Sequence, residues 1–124
     1  MNRFMRYGKI SVVSLWVAGI MILAGCESDD YSHKPPPGQG SIIVDNKSVD
    51  VIHVYVDGYY ANDVGDYDYE AYDRVPGLYR VVLDQKSGDR SYSHDVDVIE
   101  DKLTVLEVQI DELSWEYDVR ISYQ

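Results

Sequence analysis

One cysteine, Cys26, stands in a chain of 124 residues. That excludes an internal disulfide and any cysteine-pair metal site. Prolines number four, three of them consecutive at Pro35-Pro36-Pro37 and the last at Pro76. The one phenylalanine and all three methionines lie before residue 26. Past that point Val, Ile and Tyr dominate the apolar content, with Trp115 the one tryptophan, a strand-forming composition. Basic residues are scarce, 11 against 22 acidic ones. A nucleic-acid partner is excluded on that ground, because phosphate binding needs a basic surface. Direct adhesion to anionic lipid is disfavoured for the same reason. No nucleophile elbow, phosphate loop or zinc signature is present, so catalysis is not expected.

What is present begins at the N-terminus. Arg3, Arg6 and Lys9 precede an apolar run from Ile10 to Leu23, broken only by Ser11, Ser14 and Gly19. The run is shorter than the roughly 20 residues that span a bilayer as a helix, and its length suits a secretory signal. It closes on Leu23-Ala24-Gly25-Cys26. This pattern resembles the lipobox of bacterial lipoproteins. The resemblance implies diacylglycerol on the Cys26 thiol, cleavage after residue 25, and acylation of the new amino terminus. Two or more acyl chains hold a protein stably, where one holds it marginally. Glu27 follows the cysteine, whereas Asp there resembles an inner-membrane retention signal of enteric lipoproteins, so outer-membrane delivery is expected. The run Glu27, Asp29, Asp30 also looks like the export tethers of some Bacteroidota lipoproteins, which leaves the periplasmic and outward faces both open.

Cleavage removes three basic residues and no acidic one, leaving 11 − 3 = 8 against 22, a net charge of −14. A partner is therefore expected to be basic, neutral or bridged by cations. Residues 26–40 read as a lipidated cysteine and a flexible tether. Ser28, Asp29, Asp30 and Ser32 are polar, the three prolines favour extended polyproline II, and Gly38 and Gly40 release the chain. Such a segment reaches about 40 Å at about 3 Å per residue. A plain spacer explains the prolines more simply than a ligand for an aromatic groove.

From residue 41 to 124 the pattern has period two. Ile42 and Val44 share a face, as do Ile52, Val54 and Val56. Asp57-Gly58 signals a tight hairpin. Residues 66–72 alternate tyrosine with acid. Strands are expected over 78–84, 91–98 and 104–110, and a last one carries Trp115, Tyr117, Val119, Ile121 and Tyr123 on one side. The fold class expected is all-β, a small antiparallel β-sandwich of about seven strands. The elements Gly40-Ser41-Ile42-Ile43-Val44, Val54-Tyr55-Val56-Asp57-Gly58 and Val75-Pro76-Gly77-Leu78-Tyr79-Arg80-Val81 resemble PEGA-type and related immunoglobulin-like or transthyretin-like modules of bacterial envelope proteins. Asp63-Val64-Gly65-Asp66-Tyr67 stands where such modules commonly carry Gly-Thr-Pro. The resemblance implies a binding or spacer domain and brings no catalytic residues.

Two groups of residues draw attention within that domain. Asp63, Asp66, Asp68, Glu70 and Asp73 form the densest run of acid, with Asp66, Asp68 and Glu70 on one face if the segment is a strand. Ca²⁺ would relieve their repulsion, although the spacing is not that of an EF-hand; a solvated acidic edge that blocks strand-to-strand aggregation is the simpler reading. Tyr59, Tyr60, Tyr67, Tyr69 and Tyr72 surround the same run. They suit a recognition surface for a protein or a glycan, or they fill the core of a sandwich that has no Phe. His33 lies in the tether, and His53 and His94 read as structural. The function expected is a membrane-anchored, non-enzymatic binding or structural accessory subunit of the cell envelope. The alternative is a Ca²⁺-dependent carbohydrate-binding module at the cell surface.

Overall fold

The computed structural model describes residues 31–124. The expected signal peptide, the expected lipobox residues Leu23, Ala24 and Gly25, and the expected lipidation site Cys26 lie outside the described residues. The compact unit runs from His33 to Gln124. It is all-β, with eight strands in two sheets: β1 (Gly40–Asn46), β2 (Ile52–Val56), β3 (Tyr59–Val64), β4 (Tyr69–Arg74), β5 (Gly77–Gln85), β6 (Ser91–Val98), β7 (Leu103–Ile110) and β8 (Tyr117–Tyr123). The first sheet has the order β4-β1-β7-β8 and the second β3-β2-β5-β6.

The β-sandwich expected from periodicity is the fold observed. The eighth strand is β3, hidden in the sequence because Tyr59 to Val64 has no clean alternation. Every pairing is antiparallel except β1 with β7, which runs parallel from Ser41↔Leu103 to Asn46↔Val108. That pair joins the first strand of the chain to the seventh. The intervening strands form the other sheet and the β4 edge, so β1 becomes an interior strand.

The core lies between the sheets. Ile42, Val44, Leu106 and Val108 on one side meet Ile52, Val54, Val81 and Leu83 on the other, all fully buried. Ile43 points away from this core and is buried too, so β1 is covered on both faces. At the start of β1 a side chain on Gly40 would run into the Ile99 carbonyl and the Val98 side chain. Trp115 does not join the stripe of β8. It sits in the preceding loop, exposed, while Tyr117 begins the strand and is buried.

Strand directions divide the loops between two ends. The chain enters β1 at the proximal end, shared with the β2–β3 hairpin, the β4–β5 and β6–β7 turns and the C-terminus. The distal end carries residues 47–51, 65–68, 86–90 and 111–116. Asn46, fully buried, organises that end. Its Nδ2 donates to the carbonyls of Asp50 (2.7 Å) and Gly65 (2.9 Å), and its Oδ1 accepts from the backbone N–H (3.0 Å) and hydroxyl (2.6 Å) of Ser48.

Candidate functional site

Asp57 and Gly58 both take positive φ, 51° and 85°, as a two-residue hairpin turn requires. The turn pairs Val56 with Tyr59 and Tyr55 with Tyr60. Asp57 also accepts the Arg80 backbone N–H through its carboxylate at 2.8 Å, which ties the hairpin to β5. A register shift follows between Val54 and Tyr55. Tyr60 and Asp63 are three apart in sequence and would otherwise point to opposite faces. The bulge brings both to the outer face, beside His53 and Tyr55 of β2.

There they form a connected group. The Tyr60 hydroxyl donates to Asp63 Oδ1 at 2.8 Å. His53 Nδ1 lies 2.5 Å from the same oxygen, and Lys86 Nζ stands 3.6 Å from the other. The Tyr60 ring packs edge-on against Tyr55 (5.7 Å between centroids) and His53 (5.9 Å). The His53 hydrogen bond, then that of Tyr60, holds the Asp63 carboxyl below its ordinary range. Asp63 is then a carboxylate with no proton to give, so His53 Nδ1 carries the hydrogen. The same bond raises the Tyr60 phenol, which stays protonated. The result is an aromatic side chain that is 57% exposed yet fixed in place, next to Tyr59 at 79%.

The remaining tyrosines scatter. Tyr72 is a correction to the expected surface: it is a buried core residue whose hydroxyl donates to Asn62 across the sandwich. Burial, with Glu70 nearby, pushes its phenol well above the ordinary range. Tyr69 is half-buried at the start of β4. Tyr67 is exposed, in the turn at the distal end with φ of 53°. Tyr59 and Tyr60 sit at the proximal end, so the stretch from residue 59 to 73 is not one surface.

The acidic run is divided as well. Asp66 and Asp68 lie in the β3–β4 turn rather than on a strand, because β4 begins only at Tyr69. Asp68 accepts the Tyr69 backbone N–H at 2.8 Å. Asp63 belongs to β3 in one sheet, Glu70 and Asp73 to β4 in the other. Among the described residues no group of three acidic, histidine or cysteine side chains is placed to hold a metal. Asp73 instead accepts the Ser41 hydroxyl and a contact from His33 Nε2, each at 2.6 Å. Burial pushes its carboxyl up, but the Ser41 and His33 hydrogen bonds outweigh that and hold it below the ordinary range. His33, in the segment expected to be tether, is thus fastened to β1 and β4. His53 and His94 do not meet. His94 stacks on Tyr92 and bonds to the Asp95 carbonyl on the edge strand β6.

Sequence reasoning missed His53 and Tyr55 as members of the group. The Asp57-Gly58 turn predicts the Tyr55–Tyr60 pair, so that half was legible. The bulge that adds Asp63 had no sequence signal.

Comparison with known proteins places the fold alone. No family matches the chain, and no curated protein matches it. Among solved structures it is similar to the N-terminal domain of AlgF from P. aeruginosa. That likeness has a TM-score of 0.55 at 18% identity, covering 72% of this chain and 96% of that one.

Proposed function

We propose that this chain is an envelope lipoprotein, anchored through lipid on Cys26, that serves as a non-enzymatic binding or structural accessory subunit. The observation that carries the binding role is Tyr60. Exposed aromatic side chains ordinarily lose rotamer freedom when a partner covers them. Here the Asp63 hydrogen bond and the Tyr55 and His53 ring contacts have already fixed the ring. An immobilised, exposed aromatic with a polar tip is the profile of an interface anchor. His53 and Asp63 are engaged with one another on an open sheet face, which favours recognition over proton transfer to a substrate. The sandwich and its strand-forming composition favour a rigid module on a tether, and the lipobox pattern favours the anchor.

Crosslinking the native lipoprotein in living cells, followed by solubilisation of the membranes, tests the role. One stoichiometric protein partner, lost on the double substitution Tyr59→Ala and Tyr60→Ala in a chain that still folds, is the expected result. Recovery of glycan in its place moves the assignment to carbohydrate binding. Capture that survives the substitutions removes the surface.

A further inference from the structure

The distal end holds two adjoining hollows that the Tyr60 group does not touch. One, of about 310 Å³, is lined by Arg90, Glu112, Leu113, Ser114 and Trp115. The other, of about 340 Å³, lies among Lys47, Ser48, Val49, Tyr67, Gln109, Ile110 and Glu112. Glu112 borders both. Each is at the lower limit of small-molecule pockets and suits inserted side chains better than a cofactor. Their rims carry uncovered apolar side chains: Leu113 is 97% exposed, Trp115 75%, and Val49 and Tyr67 are exposed beside them.

These loops are built to stay in place. Asn46 braces residues 48, 50 and 65 from beneath. Asp50 Oδ2 accepts from Arg90 Nη1 at 3.1 Å and from the Tyr117 hydroxyl at 3.0 Å, joining three distal segments. Within the last loop, Asp111 Oδ1 accepts the Leu113 N–H and the Ser114 hydroxyl accepts the Glu116 N–H, both at 3.0 Å. An exposed Leu–Trp pair on a braced loop is costly to keep in water unless something covers it. Arg90 adds an unmet requirement: its Nε–H is buried and finds no acceptor among the described residues.

Charge selects the occupant. Glu112 borders both hollows, Asp66, Asp68, Asp89, Asp111 and Glu116 are exposed on the same distal loops, and among the described residues none of the six has a lysine or arginine partner. The cations of this end are already engaged: Lys47 with Asp45, Lys86 with Asp63 and Arg90 with Asp50. A second copy of the chain would set like charges face to face, and an anionic bilayer would do the same. We infer that the distal end is a docking surface for a protein segment that carries apolar side chains flanked by lysine or arginine. The apolar side chains fill the hollows against Trp115 and Leu113, and the basic ones meet the exposed carboxylates of the distal loops.

A photo-crosslinking amino acid at Leu113, in the full-length chain in its own cells, tests this. The adduct should map to a protein segment with net positive charge and apolar side chains. Its yield should fall at least tenfold on Trp115→Ala or Glu112→Lys, and it should survive Tyr59→Ala with Tyr60→Ala. Trp115 and Glu112 are exposed, so both variants should keep the parent melting temperature, which is measured alongside. No adduct, an adduct to lipid or to a second copy of the chain, or a yield unmoved by either distal substitution overturns the inference. Survival of the adduct in the Tyr59/Tyr60 variant separates this surface from that of the proposed function.

Discussion

At Asp63 one carboxylate oxygen serves two donors, and that sharing has a measurable sign. Hydrogen bonds from His53 and Tyr60 depress the carboxyl. A depressed folded-state pKa contributes stability above the unfolded carboxyl value of about 3.9, and the contribution is lost as pH falls through the folded value. Carbon-detected NMR titration of the Asp63 carboxyl should therefore give a midpoint below that of a free aspartate. His53→Ala should raise the midpoint, and Tyr60→Phe should raise it less, in the order of the two hydrogen bonds. Tyr72 makes the contrasting case, since its hydroxyl is buried against Asn62. Tyr72→Phe strands the Asn62 acceptor and should cost about 1–3 kcal/mol in urea unfolding. Tyr72→Ala also opens a cavity and should cost about 3–5 kcal/mol. A Tyr72→Ala variant of parent stability would return Tyr72 to the surface.

Between strands, the decisive contacts are few and each sits where two elements meet. Asn46, the last residue of β1, satisfies carbonyls from two separate loops and both donors of Ser48. Asn46→Ala leaves several buried polar groups unpaired, each costing about 1–3 kcal/mol, so a large loss of melting temperature is expected by calorimetry. Gly40 sits where β1 passes the β6–β7 turn, and the carbonyl of Ile99 is backbone that cannot swing aside. Gly40→Ala should destabilise the fold by about 1–3 kcal/mol despite alanine's lower unfolded-state entropy. The outcome at Gly58 has a different cause. It has open space but a φ of 85°, so Gly58→Ala suffers from backbone strain rather than collision and should loosen the β2–β3 hairpin in hydrogen exchange.

For the whole molecule, the proposed lipid anchor on Cys26 is what fixes where the domain works. The proposal predicts that Cys26→Ala moves the chain out of the detergent phase in phase-partition fractionation and abolishes labelling by radioactive palmitate. The His33 contact to Asp73 also bears on reach. While it holds, the segment from His33 to Gln39 lies against the domain instead of extending it. His33→Ala should raise amide exchange across that segment while leaving the melting of the sandwich unchanged.

The sequence alone determined the fold class and most strand positions, because a strand half-buried against a core must alternate and a two-residue turn must bear Asp-Gly or its like. Period two therefore placed the inward faces of β1 and β2, and the tight hairpin read at Asp57-Gly58 carries the Tyr55–Tyr60 pair with it. Composition carried the acidic balance, the ground on which a nucleic-acid partner is not expected. Local pattern could not reveal which strands become neighbours. The parallel β1–β7 pair joins segments far apart in sequence, and Ile43, on the outward side of β1, is buried as well. Nor could it reveal the bulge that turns Tyr60 and Asp63 to one face. The acidic and tyrosine run looked continuous along the chain, but Tyr72 went to the core, Tyr67 to the distal end and Tyr59 and Tyr60 to the proximal end. Adjacency in sequence constrains only the next few residues, whereas a sandwich assigns each residue a face, an edge or an end through pairings that close over the whole chain. The Leu113–Trp115 loop beside Arg90, Val49 and Tyr67 is such a long-range product, and only the tertiary structure brings those residues to one end.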